Sequence, residues 1–231
     1  LDPPGTEVKQ TPYESRIRNE AIPAMQRSLR CLLLLVGLGF GWPMGPVGAA
    51  ESPSPEAARA PVVELQNALL EGMRAGASWD FATRRARFET VVRRTHHLDV
   101  MVGFVLGRHA RELSEGDRQR LQERLGALTA AHYAARFDRH QGERFERLGV
   151  RPYGRARQVV ATRLIRPADE PVTLDYVVER HAGEVGIVNV LANGVSEVAM
   201  RRVEFTQRMA EGGVSGLLQH IEEAIAELSE S

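Results

Sequence analysis

The chain has 231 residues, 43% of them hydrophobic and 26% charged, proportions of a globular protein that exclude a disordered or collagenous one. Its 30 basic and 30 acidic residues cancel, so no global positive field draws nucleic acid to it. Cys31 is the only cysteine and falls in a segment predicted to be removed, which excludes disulfides, thiolate catalysis and cysteine-bound metal in the mature protein.

Leu1 to Ala24 has no apolar periodicity and precedes a possible initiator at Met25, so residues 1–24 read as an upstream extension outside the fold. From Met25, Arg27 and Arg30 supply a positive region, Cys31 to Phe40 an apolar run, and Val47-Gly48-Ala49-Ala50 a small-residue cleavage site. This order predicts a secretory signal peptide over 25–50, cleaved near Ala49/Ala50, and a periplasmic mature protein. The run is too short to span a bilayer comfortably, and Gly41, Pro43 and Pro46 interrupt any longer helix. Left uncleaved, it would make an anchored accessory protein instead. Cys31 begins the run, whereas a lipidated cysteine would end it. Removing 1–50 leaves 26 acidic and 25 basic residues, so the mature chain stays near neutral.

Glu51 to Pro61, rich in Pro, Ser and Ala, predicts a flexible segment ahead of a domain over 62–231. Val63, Leu65, Leu69, Leu70 and Met73 then recur at helical spacing over Val62 to Arg74. Ser78 is placed to cap a second helix through Phe81, Phe88, Val91 and Val92. His97 to Leu113 is the most apolar helical segment. Ser114, followed by Glu115 and Asp117, predicts a capped helix to about Gln141 that carries Leu121, Leu125, Leu128, His132 and Phe137.

Beyond Gly142 the period changes. Val160, Thr162 and Leu164 alternate as in a strand, and Val172, Leu174, Tyr176 and Val178 do so more clearly after a turn at Pro167 to Pro171. His181-Ala182-Gly183-Glu184 predicts a tight reversal into a strand over Val185 to Leu191, which Asn193-Gly194 ends. Ser196 then caps a helix through Phe205 and Met209, and Gly212-Gly213 separates it from a last helix bearing Leu217, Leu218, Ile221, Ile225 and Leu228. Helices, an antiparallel meander and helices again give an α+β domain.

Chemistry is sparse in this sequence. It has no His-Glu-x-x-His motif, and the adjacent His96 and His97 diverge by about 100° on a helix, which makes them poor co-ligands for a metal. A Gly-x-Ser-x-Gly elbow and a glycine-rich phosphate loop are both absent, and Lys9 is the only lysine. These absences predict a protein that is not an enzyme and uses no cofactor. What is left is apolar surface, which fits either a solid core or a ligand slot, since periodicity fixes a face but not what the face meets.

Asn193-Gly194-Val195-Ser196, then Arg202, Phe205, Gly213 and Gly216-Leu217-Leu218, resemble the MlaC / toluene-tolerance family of periplasmic phospholipid-binding proteins. Val105-Leu106-Gly107-Arg108 with Ser114 and Arg118 resembles that family's helical hairpin, Tyr133, Phe137 and Gly142 its aromatic-bearing helix, and Leu174-Asp175-Tyr176 its central strand. The similarity runs from about Val62 to Leu228. Four positions depart from the family pattern: Val185 where Trp is usual, Asn189 where Asp is common, Glu197 in place of an apolar residue, and Arg201 in place of Tyr.

The resemblance implies helices packed over a curved antiparallel sheet of about four strands (NTF2/cystatin-like), with an apolar slot between them. It places Met101, Val105, Tyr133, Phe137, Leu174, Tyr176, Val188, Val190, Val195 and Met209 at the slot, and Arg108, Arg163 and Arg202 at its mouth facing a headgroup. It further implies a monomeric carrier that shuttles phospholipid between the inner and outer membranes. The expected partners are an inner-membrane ABC transporter with an MCE-domain protein and an outer-membrane lipoprotein complex. A hopanoid or other polycyclic lipid is the alternative cargo, on resemblance to the HpnM-type branch. A non-lipid NTF2-like interaction module is the alternative function.

Overall fold

The computed structural model describes residues 51–230, so the segments expected to be an upstream extension and a signal peptide lie outside the described residues. The first helix, α1, spans Pro55–Ala75. It starts within the segment expected to be flexible, for a local reason. Ser54 Oγ accepts a hydrogen bond from the Ala57 N–H at 3.2 Å, and Pro55 opens the helix where a missing N–H costs nothing. The residues ahead of it are tied to the sheet, because Gln158 Nε2 donates to Ser52 Oγ and to the Pro53 carbonyl.

A short 3₁₀ turn leads to α2, Phe81–Thr95. Asp80 caps this helix, accepting from Thr83 N–H at 2.8 Å, whereas Ser78, the expected cap, donates back to the Ala75 carbonyl. The expected helix over His97 to Leu113 is shorter, with α3 spanning Leu98–Leu106. Gly107, at φ 55°, stops it and a 3₁₀ turn follows. Ser114 caps α4, Glu115–Arg136, as its sequence predicts, accepting from Asp117 N–H at 3.1 Å.

Five antiparallel strands follow in the order of the chain: β1 Arg144–Tyr153, β2 Arg157–Arg166, β3 Asp169–His181, β4 Glu184–Ala192 and β5 Val195–Ser196. Sequence periodicity missed β1. It is an edge strand carrying Arg144, Glu146, Arg147 and Arg151, and the register shift between Arg147 and Gly149 sets its two core-packed residues, Phe145 and Val150, out of the alternating period. Register shifts at Arg147/Gly149, Leu164/Arg166 and Val177/Val178 interrupt three successive ladders and bend the sheet. The β3–β4 and β4–β5 reversals turn on Ala182-Gly183 and Asn193-Gly194, all four at positive φ, the backbone twist that two-residue hairpins require.

The last helix, α5, spans Glu197–Glu230 and is kinked at Gly213, where φ 59° and ψ −157° depart from helix. Ser196 Oγ accepts from the Ala199 N–H, and Asn189 Oδ1 of β4 accepts from the Val198 N–H, so the strand holds the helix start. The fold is therefore α+β, helices over a curved open sheet.

Two apolar compartments lie under the helices. One joins α1, α2 and α4 to the sheet through Leu65, Leu69, Phe88, Val92, Tyr176 and Ile187. Gly72 of α1 makes room there, since a Cβ on it would stand 2.4 Å from Phe88 Cζ. The other joins α3, α4 and α5 through Met101, Val105, Leu121, Leu125, Phe205 and Ile221.

Candidate functional site

The second face of α4, the inner face of β2–β4 and the start of α5 do not close on one another. They enclose a cavity of about 710 Å³, within the range of about 300–1,000 Å³ usual for small-ligand sites. From α4 come Leu128, His132, Tyr133, Arg136 and Phe137, and from the sheet Leu164, Arg166, Val172, Leu174, Tyr176, Val190, Ala192 and Val195. Glu197, Met200, Arg201 and Glu204 of α5 complete one side, with Leu69 and Ala224 closing gaps. Tyr133 and Phe137, one helical turn apart, meet edge to face at 6.1 Å between ring centres.

Most of this wall is apolar, but a polar group is set into it. Arg201 Nη2 donates to Glu197 Oε1 at 2.6 Å across one helical turn. The Arg201 side chain is 7% exposed and Glu197 25%. Burial works to raise the Glu197 carboxyl, yet the charge and hydrogen bond of Arg201, with His96 and His132 behind it, hold it below its ordinary value. His132 is pulled down to about 4, by burial first and by Arg201 second, so it is neutral at neutral pH. The buried His96 is likewise lowered to about 4, chiefly by burial.

The two tyrosines of the wall differ. Tyr176, pushed up to about 12 by burial, has its hydroxyl met by Gln66 and Thr162. Tyr133 is raised well above its ordinary value, by burial first and then by the negative charge of Glu197, and its hydroxyl has no hydrogen-bond partner. The Nε of Arg201 has none either. Among the described residues no group of three or more His, Cys, Asp or Glu side chains could hold a metal ion.

Tyr133, Phe137, Leu174, Tyr176, Val190 and Val195, six of the ten residues expected at a slot, line this cavity. The other four lie elsewhere. Met101 and Val105 are buried in the helical compartment and Met209 packs at its edge, because the inward side of α3 meets α4 and α5 rather than open space. Val188 packs with Val159 and Val177 in a separate cluster. Val159 directly precedes Val160 of the cavity-side core, so the two point to opposite faces of the sheet.

The arginines expected at the mouth are also outside it. Arg108 is exposed, Arg163 lies 4.0 Å from Glu146, and the Arg202 guanidinium lies over Gly107, where a Cβ would stand 2.8 Å from it. The arginines that do line the cavity are Arg136, Arg166 and Arg201. Arg201 and Glu197 carried a signal, being two of the four departures from the family pattern and set at the i, i+4 spacing of a helical ion pair.

The MlaC protein family model matches residues 64–223. No match emerges among curated proteins. Among solved structures, a phospholipid-binding protein from Ralstonia solanacearum, determined in complex with a phospholipid, superposes with a TM-score of 0.65 at 19% identity, covering 74% of this chain and 98% of that one. With the family match spanning most of its length, and with the same fold of helices over a curved antiparallel sheet, the chain belongs to the MlaC family.

Proposed function

We propose that this protein is a periplasmic lipid carrier, a soluble component of an ABC-type transport system that shuttles phospholipid between the inner and outer membranes. The observation that carries the reading is the apolar cavity of about 710 Å³ between α4, α5 and the sheet, in a chain of the MlaC family. The Ralstonia protein, which shares the fold, binds a phospholipid, and this supports the same cargo here.

Binding in such a cavity works by burial. Each CH₂ taken from water contributes about 0.8 kcal/mol, offset by the cost of ordering the acyl chains and docking the lipid. Tyr133, Phe137, Leu174, Tyr176, Val190 and Val195 supply the apolar contact. Arg136, exposed and part of the cavity lining, offers a guanidinium that can pair with a lipid phosphate, whereas Arg166 is already held by the Glu170 carbonyl and by Asp169. The carrier acts on its cargo only by binding and release. Its donor and acceptor in this reading are an inner-membrane ABC transporter with an MCE-domain protein and an outer-membrane lipoprotein complex, and it travels between them as a monomer after signal-peptide cleavage.

Exporting Met25–Ser231, purifying the periplasmic form and extracting it with organic solvent for lipid mass spectrometry tests the reading. Diacyl phospholipid at a stoichiometric level is the expected result. A hopanoid or sterol-like species would replace the cargo with a polycyclic one. An empty protein that also refuses added lipid would overturn the carrier function.

A further inference from the structure

Three arginines, two glutamates and one histidine line the cavity, and four of these six groups are already settled. Arg201 and Glu197 pair with each other at 2.6 Å. Arg166 is paired with Asp169 at 3.4 Å and donates to the Glu170 carbonyl. His132, pulled down to about 4 by burial first and by Arg201 second, is neutral at neutral pH.

Arg136 and Glu204 are the two left open to a ligand. Arg136 is exposed and has neither an ion pair nor a hydrogen bond with another side chain among the described residues. The Glu204 side chain is 47% exposed. Its Oε1 accepts from Nε2 of His220, beyond the Gly213 kink, and its Oε2 has no donor among the described residues. A neutral imidazole can donate that bond, and the carboxylate then keeps its charge. The two open groups share one neighbourhood. Arg136 follows His132 by one turn of α4, Glu204 follows Arg201 by one turn of α5, and the charges of both act on the His132 ring.

Taken with their partners, the charges of the wall cancel: Arg201 against Glu197, Arg166 against Asp169, and Arg136 against Glu204. A headgroup with a single negative charge meets Arg136 but brings that charge towards Glu204 as well. A headgroup with a phosphate and an ammonium offers an anion to the first and a cation to the second, and adds no net charge.

We infer that Arg136 and Glu204 together select the lipid by the charge of its headgroup, favouring a zwitterionic phospholipid over an anionic one with the same chains, with Glu204 as the residue that turns the anionic lipid away. The inference rests on the lipid-carrier reading and adds to it a headgroup preference.

The test offers the exported, delipidated protein vesicles of equal parts palmitoyl-oleoyl phosphatidylethanolamine and palmitoyl-oleoyl phosphatidylglycerol, at pH 8 and low ionic strength. The chains are the same, so the bound ratio, read by mass spectrometry, isolates the headgroup. The expected result is an enrichment of phosphatidylethanolamine of about threefold, the scale of one half-exposed ion pair. Glu204→Gln should bring the ratio to about one, and Arg136→Gln, which leaves Glu204 without its opposing charge, should raise it above that of the unaltered protein. Opposite shifts from two exposed positions are what charge produces and a loss of packing does not. A ratio of about one or below in the unaltered protein would overturn the headgroup inference and leave the carrier reading standing. So would a ratio that Glu204→Gln leaves unchanged, or one that both variants move the same way. Uptake of neither lipid would overturn both.

Discussion

Removing Glu197 tests whether the polar group in the cavity wall is as tightly coupled as its geometry requires. In Glu197→Ala the buried Arg201 loses the carboxylate 2.6 Å from its Nη2, and with Nε already unpartnered its guanidinium is left with a buried, uncompensated charge. Breaking a buried pair by removing one partner costs about 3–5 kcal/mol, and the one-quarter exposure of Glu197 places this case near the lower end, at about 3 kcal/mol. For a domain of this size that corresponds to a fall in Tm of about 6–12 °C. Loss of the acid from the first turn of α5 adds only about 0.5 kcal/mol. The double variant Glu197→Leu with Arg201→Leu removes both charges and should recover most of the loss, because an ion pair replaced by apolar side chains is close to neutral. Urea denaturation at pH 7, followed by circular dichroism, gives both values from the midpoint and slope. A single variant that costs less than about 1 kcal/mol, or a double variant as unstable as the single, would refute the coupling.

Gly72→Ala should destabilise the fold by about 1–3 kcal/mol, because its Cβ would stand 2.4 Å from Cζ of the buried Phe88 ring and force it to shift; urea midpoints check it. Acidification should weaken the fold in two steps. His96 takes a proton near 6.5 when unfolded but only near 4 when folded, so its contribution is complete above about 6.5 and is lost as pH falls towards 4, by up to about 3 kcal/mol. Glu197, held below its ordinary value, adds stability that disappears only below about 4.5; a urea midpoint unchanged between pH 7.5 and 4 would contradict the histidine step, and one unchanged from there down to about pH 2.5 the Glu197 step. Leu174→Trp should fill part of the cavity and reduce bound lipid several-fold with the fold intact, measured by lipid extraction beside a thermal melt. Met101→Ala should do the reverse, lowering stability by about 2–5 kcal/mol while the protein that remains folded keeps its lipid.

Where a local side chain decides the structure, the sequence was readable. Ser114 marked the start of α4 because its hydroxyl meets the Asp117 N–H directly, and Ala182-Gly183 marked the β3–β4 reversal because that turn needs positive φ. The alternation of Leu174, Tyr176 and Val178 placed β3 because these three share the face turned to the apolar core beside the cavity. β1 left no such trace, since the register shift between Arg147 and Gly149 puts its core-packed Phe145 and Val150 five residues apart and breaks the period of two. The site was legible only in half. Met101 and Val105 on α3 and Tyr133 and Phe137 on α4 obey the same helical spacing, yet the first pair closes a core and the second lines a cavity. The spacing names the face in each case, and the distance to the facing element, set by bulges in a distant sheet, decides whether the space is filled.

That division runs along α4 itself and explains how the fold can keep an opening of this size. Leu121 and Leu125, nearer its N-terminus, are locked against α3 and α5 with Phe205, Leu217 and Ile221, so α4 and the two segments of α5 are held by a compartment that meets the cavity at Leu128 and Ala224. Further along, Ala130 and Ala134 press α4 against α1 and α2, while Tyr133 and Phe137 turn towards the sheet. The helix is thus fixed mainly by its small and aliphatic residues, with Tyr133 and Phe137 at once packing on the core and lining the cavity. The sheet is held off by its own bulges, and the start of α5 is pinned to β4 through Asn189 and Ser196, not through contacts across the cavity. Stability and binding therefore draw largely on different residues, while Leu69, Leu128, Tyr133, Tyr176 and Val190, with the Glu197–Arg201 pair, belong to both the buried core and the cavity wall.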